Sequence, residues 1–327
     1  MKKILFAVLV LFFVVGCNSK SESNIIKELE KKIEKNDGYN LVGKLEMINN
    51  ENTNEYEVQV SYKKENNFKV SLVNKINDHT QIILKNEDGV YVLTPSLNKS
   101  FKFQSEWPFN NSQSYILQVL LDDIKNDDKK VFEETEDGYV FTTKVNYSNN
   151  TSLEKQKIYI DDEYNFKKVE VLDNNDVAKI SMVFENIDYN YDFEKDYFTL
   201  DYNIKETALD ETINKIDEII YPMYLPTNTT LTSQDKVSKS DGERVILTFS
   251  GDKPFTFVQE TITVDDELTT VLSYGEPTLI GDVIANVSEN SVSWISNGIE
   301  YYIVSEVLSE NELVEIVSSI SSLPVMK

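Results

Sequence analysis

The sequence predicts a mainly β chain of α+β class, arranged as two antiparallel β units with few helices. Three observations point there. Apolar residues alternate with polar ones in many short runs, the pattern of half-buried strands. Five of the ten glycines (Gly38, Gly89, Gly138, Gly242 and Gly298) follow Asp or Asn, the pairing that supplies positive φ in tight hairpins. Only four stretches carry helical spacing.

The elements follow in chain order. Residues 25–35 place Ile25, Ile26, Leu29 and Ile33 on one helical face. Tyr56, Val58, Val60 and Tyr62 then alternate with polar residues, followed by Phe68, Val70 and Leu72 and by runs at 81–84, 90–94 and 100–103. Residues 112–126 break the pattern with Ile116, Leu117, Val119, Leu120, Leu121 and Ile124, which crowd more than one face, as in a helix buried against a sheet. Alternation resumes at Tyr139–Val145, Ile158–Ile160 and Val169–Val171. Residues 206–220 space Leu209, Ile213, Ile216 and Ile220 as a helical linker, and Pro222 and Pro226 end it. Beyond it, Arg244–Phe249, Phe255–Val264 and Glu267–Leu272 read as strands, and Trp294–Tyr301 as a hairpin about Asn297-Gly298. The last helix spans Ser309 to Ser321, with Ser309 and Glu312 as a capping box.

At 327 residues the chain has length for about two domains. A net charge of -24 argues against a nucleic-acid partner, which needs a basic face. With one Cys and one His, a zinc site or a Cys–His or Ser–His mechanism would rest on His79 alone, and no cofactor motif is present. His79, in a polar loop, reads as inert. The acidic pairs Asp122-Asp123, Asp127-Asp128, Asp161-Asp162 and Asp265-Asp266 read as solvated turns. Residues 188–196 begin like a calcium loop. Phe193 replaces its turn glycine and Thr199 its bidentate Glu, so this reads as a strand end. Phe101, Phe103, Trp107 and Phe109 put four aromatics in nine residues, either core or a ligand-facing wall.

The N-terminus carries Lys2 and Lys3, then an apolar run from Ile4 to Val15. That run is short of the roughly 20 residues of a membrane span and matches a secretory signal. Val14-Val15-Gly16-Cys17 resembles the bacterial lipobox. The resemblance implies cleavage before Cys17 and diacylglycerol on its sulfur, the alternative being an ordinary signal peptide or an uncleaved anchor. Two acyl chains at about 0.8 kcal/mol per CH₂ would hold the chain at the outer face of the cell membrane. Residues 1–16 are then the signal, 17–24 a polar tether, 25–205 the first unit, 206–220 the linker and 221–327 the second unit.

Residues 25–200 resemble the LolA/LolB/RseB-like lipoprotein-localisation fold, most closely over 157–190 (KIYIDDEYNFKKVEVLDNNDVAKISMVFENIDYN). Residues 221–324 resemble the C-terminal domain of YdcC-type lipoproteins of spore-forming bacteria. This likeness runs through YPMYLP (221–226), Tyr274-Gly275, Trp294, Gly298, Tyr301 and LSENELVEIVSSI (308–320). The resemblance implies an open antiparallel half-barrel with lid helices and a smaller β-rich domain ending in a helix. It implies a non-enzymatic envelope lipoprotein that binds a hydrophobic (acyl or lipid) group or an envelope protein, with a role in sporulation or lipoprotein handling. The 112–126 helix would be the lid, and Phe101, Phe103, Trp107, Phe109, Ile116 and Leu120 would face the cavity. The alternatives are a protein-binding regulator and a carboxylate-dependent wall-glycan hydrolase. The hydrolase needs two carboxylates about 5–10 Å apart in a cleft.

Overall fold

The computed structural model describes residues 21–321 apart from 50–51, 77, 148–149, 205–214, 241, 264–267 and 282. Cys17 lies outside the described residues.

Helix α1 (Glu22–Glu34) buries the stripe Ile25, Leu29 and Ile33. Six strands follow as an antiparallel meander: β1 (Gly38–Asn49), β2 (Asn52–Lys63), β3 (Asn67–Asn74), β4 (Thr80–Asn86), β5 (Gly89–Thr94) and β6 (Lys99–Phe103). Helix α2 (Leu117–Asn126) interrupts. A second meander runs through β7 (Val131–Thr135), β8 (Gly138–Lys144), β9 (Leu153–Ile160), β10 (Phe166–Asp173) and β11 (Ala178–Asp188). β11 pairs antiparallel with β1, fusing the two meanders into one sheet. The two ends of that sheet do not pair with each other, so it stays open. One face closes over α1 and α2. Leu41, Leu45, Val58, Val60, Val70, Phe141, Ile158, Val169 and Met182 from the strands share one buried cluster with Leu29, Ile116, Leu120 and Ile124. The outer face of β4 and β5 is covered by a short helix, α3 (Leu200–Ile204), and the aromatic segment before it. Tyr197 and Phe198 there pack on Leu84 and Leu93.

The second unit contains β12 (Thr229–Lys239), β13 (Gly242–Gly251), β14 (Phe255–Thr261), β15 (Thr269–Ser273), β16 (Glu276–Ile280), β17 (Val283–Ser288), β18 (Ser291–Ser296) and β19 (Ile299–Val304), then helix α4 (Glu310–Ser321). Seven of these strands form a sheet in the order β12-β13-β14-β19-β18-β17-β16. Leu313, Ile316 and Val317 of α4 pack on Val292, Trp294 and Phe257. The capping box forms: the Ser309 N–H donates to the Glu312 carboxylate at 3.1 Å, and the Glu312 N–H returns to Ser309 Oγ at 3.4 Å. Asn297 and Gly298 take φ of 49° and 73° between paired Ser296 and Ile299, the left-handed pair a two-residue hairpin requires.

Four expectations need correction. β15 does not join its own unit's sheet. It crosses to pair in parallel with β6, Thr269 against Lys99 through Ser273 against Phe103, as the edge of what becomes a 12-stranded sheet. β15 thus ties the second unit to the first sheet. The lid helix begins at Leu117 and not at Ser112, because Ser112 is held by the β8–β9 connection. Its N–H donates to the Asn146 carbonyl at 2.9 Å, and its Oγ accepts from the Asn146 N–H at 2.9 Å. Residues 215–220 of the expected linker helix are irregular, since Ile216 and Ile220 donate their N–H groups to Glu243 and Gln259 of the second sheet. The rest of that linker, 206–214, lies outside the described residues. Gly38 makes no hairpin: a Cβ there would stand 2.3 Å from the Tyr62 carbonyl, so it permits close approach of β1 to β2.

Candidate functional site: a cavity at the seam of the two units

The sequence places its candidate cavity between the sheet and α2. The structure fills that space. Phe103, Trp107, Ile116 and Leu120 are all buried, Ile116 and Leu120 completely. Trp107 packs edge-on against Phe68, with ring centroids 6.1 Å apart. Phe109 meets the same ring from the surface at 6.0 Å and is half exposed. Phe101 stands at the seam, where it and Phe103 face Ile284, Trp294 and Ile295 across a void of about 10 Å³, room for about one water.

The open cavity lies elsewhere, where the β1–β2 end of the first sheet meets the second unit. It measures about 510 Å³, within the range of ligand pockets, and none of the six candidate residues lines it. Its floor is Leu45, Met47 and Ile48 of β1 with Ile180 of β11. Its flank is the stretch before α2 (Asn111, Gln113, Ser114, Tyr115) and the β8–β9 connection (Tyr147, Asn150, Ser152, Leu153). Its roof comes from the other unit: Pro277 to Gly281 of β16 and its turn, and Val314, Glu315 and Ser318 of α4. Strand alternation explains the floor, because Leu45 and Met47 fall on the same face of β1. Val314 of α4 belongs to the stripe packed on the second sheet, and Glu315 and Ser318 lie beside it on the helix.

The seam is held by specific polar contacts. The Gln81 side chain accepts from the Ile284 N–H at 2.8 Å, both groups buried. The Tyr56 hydroxyl donates to the Gly281 carbonyl at the cavity wall. Glu276 of β16 accepts from Ser105 and, at 2.5 Å, from Asn110. Lys99 and Glu300 form an ion pair at 2.8 Å.

The cavity's electrostatics are mild. Burial pushes the Tyr115 and Tyr147 phenols well above the ordinary range, so both carry their protons at any physiological pH. The charged lining groups are Lys179 of β11 and Glu315 of α4. Behind the flank, Asp123 of α2 accepts from Gln156 at 2.7 Å and from Ser112 at 3.2 Å. Burial outweighs these bonds and pushes its carboxyl up to about 6. The pair Asp122-Asp123 is therefore helical, with Asp122 exposed and Asp123 half-buried, and not a turn. Asp127 and Asp161 do form turns, accepting from the N–H groups of Lys129 and Glu163. Asp265 and Asp266 lie outside the described residues.

His79 sits half-buried before β4, and burial pushes its imidazole below the ordinary range. Asp188 ends β11 and accepts from the Asn190 N–H at 2.9 Å, a strand end. Among the described residues no group of three or more His, Cys, Asp or Glu could hold a metal ion. Glu260 and Glu300 are cross-strand neighbours in the second sheet. Burial would raise Glu260, but Lys239 and Arg244 bind it and hold it below the ordinary range. No helix among the described residues is long and apolar enough to cross a membrane.

Reading for local spacing misses the cavity, because several segments contribute a few residues each. The one signal touching it is the resemblance to YdcC-type lipoproteins. Its motif at 308–320 contains Val314, Glu315 and Ser318, and Tyr274-Gly275 leads into β16.

No family model matches the chain. MucB in its crystal structure aligns over 91% of this chain and 96% of its own, at 12% identity and a TM-score of 0.33. A LolA superfamily protein of Nitrosomonas europaea aligns over 56% of this chain and 100% of its own, at 12% identity and a TM-score of 0.33. A structure of the CwlD amidase from Clostridioides difficile in complex with the GerS lipoprotein aligns over 54% of this chain and 97% of its own, at 17% identity and a TM-score of 0.31. Likeness at these levels carries no argument. The sequence comparison does: the sporulation protein YdcC of Bacillus subtilis (strain 168) is 33% identical over 321 residues, 97% of this chain and 95% of that protein. The chain therefore belongs to the family of the sporulation protein YdcC.

Proposed function

We propose that this protein is a non-enzymatic envelope lipoprotein, held by diacylglycerol on Cys17 at the outer face of the cell membrane, that takes an apolar group into the seam cavity and acts in sporulation. The observation carrying this reading is the 510 Å³ cavity, with an apolar floor and a roof and flank that mix apolar and polar side chains, built from both units. An acyl chain suits such a lining: its burial is driven by removal of CH₂ groups from water, while the head stays with the polar side chains. Of the candidates around α2, Ile116 and Leu120 pack in the same core as Tyr115 of the cavity's flank. Family membership supports the sporulation setting. The lone cysteine behind a twelve-residue apolar run supports the anchor.

The test is titration of the mature chain with a fluorescent polyene fatty acid. Saturable binding is expected, and Met47→Trp or Leu279→Trp, which fill the cavity, should abolish it. Absence of saturable binding, or unchanged binding in both filled variants, rejects the reading. The anchor is tested separately by metabolic labelling with a lipid precursor, which Cys17→Ser should eliminate.

A further inference from the structure

The two sheets have four edge strands, and they are not protected alike. Exposed edges invite pairing with other chains, and native proteins blunt them with charge or proline. β7 carries Glu133 and Glu134, β12 carries Asp235, Lys236 and Lys239, and β16 carries Glu276 and Pro277. β15, with the sequence TTVLS, carries neither. Four of its five residues are exposed, Leu272 at 63%, and Tyr274 just beyond is exposed at 69%. Beside this edge lies a groove of about 630 Å³, lined by Val271, Leu272 and Tyr274 and by Ile246, Val258 and Tyr302 of the second sheet, with Arg244, Glu260 and Glu300 also along it.

We propose that the side of β15 away from β6 is a docking site for an extended segment of another protein, added as a further strand, with apolar side chains at alternate positions seated in the groove. The first sheet already gains a strand in this way, since β15 comes from the other unit and pairs with β6 along its whole length. A docked segment would continue that ladder by one strand. Main-chain hydrogen bonds would hold it, and pockets for alternate side chains would select it. At a net charge of -24 the chain disfavours an acidic segment, so the partner segment is neutral or basic. The groove shares no residue with the seam cavity, so the proposal stands apart from what fills that cavity.

The test is selection from a phage library of random peptides about ten residues long, enough for one strand, against the full mature chain. Enriched peptides should alternate apolar residues. They should bind Leu272→Lys at least about tenfold more weakly, as a lysine on an edge predicts. They should also weaken when alternate backbone amides are N-methylated, and bind Val237→Lys, altered on the β12 edge, like the parent. Leu272→Lys should melt with the parent and bind the fatty-acid probe unchanged, which separates failure here from failure of the cavity reading. No enrichment, or equal binding to Leu272→Lys, overturns the proposal. So does a dimer in sedimentation that Leu272→Lys turns into monomer, because the edge would then belong to a second copy.

Discussion

Two spaces in this molecule had reason to be hollow, and only one is. Beneath α2, side chains from one sheet and two helices interdigitate, and Ile116, Leu117, Leu120 and Ile124 are fully buried. At the seam, two separately packed units meet and leave about 510 Å³. The physical difference is adjustability. α2 is a single helix that settles into its sheet, so its contacts close to interior density. The roof of the seam is fixed by the second sheet and α4, and its position is set by the β6–β15 ladder and the Gln81, Tyr56 and Glu276 contacts. A helix over a curved sheet therefore does not by itself make a ligand cavity.

The largest expected effect tests this contrast directly. Leu120→Ala, fully buried, should cost about 3–4 kcal/mol in urea unfolding. Leu279→Ala, half-buried on an existing cavity, should cost under about 1.5 kcal/mol. Equal costs would mean that the seam is as well packed as the core, and the contrast would break. Next in size, Gln81→Leu leaves the buried Ile284 N–H without its acceptor and should cost about 1–3 kcal/mol, sharpening the claim that polar contacts fix the roof.

Asp123 follows. Its folded carboxyl titrates at about 6 against an ordinary 3.8, so the native state holds more protons between those values, and stability falls as pH rises through them. Asp123→Asn should therefore stabilise by about 1–2 kcal/mol at pH 8, with the gain fading by pH 4. A gain independent of pH would show that packing, not charge, sets the cost. The smallest effect is a control. Lys31→Ala removes an exposed pair with Glu28 and should leave the melting temperature within about 1 °C.

Much of the fold was legible because alternation is a local signal. Tyr56, Val58 and Val60 of β2 point into the core while Glu55 and Glu57 face water, so a period of two marks the strand. β12 escaped the same reading because nearly every residue of TTLTSQDKVSK is exposed on both faces, leaving no apolar period. The aromatics from Phe101 to Phe109 were legible as a cluster but not as core or cavity. Which they are depends on Phe68, Trp294 and Ile284, distant in sequence.

The sequence by itself determined helices α1 and α4, the alternating strands such as β2, β8 and β14, the hairpin at Asn297-Gly298 and the cap of α4. Each rests on residues within a few positions of one another, where backbone preference and side-chain period decide. Only the tertiary structure decided that Thr269 lies against Lys99, that the roof of the cavity comes from the second unit, and that α2 seals the space it covers. Those outcomes depend on pairings between segments far apart in the chain, fixed by shape and by the summed burial of two cores, and no local pattern encodes them.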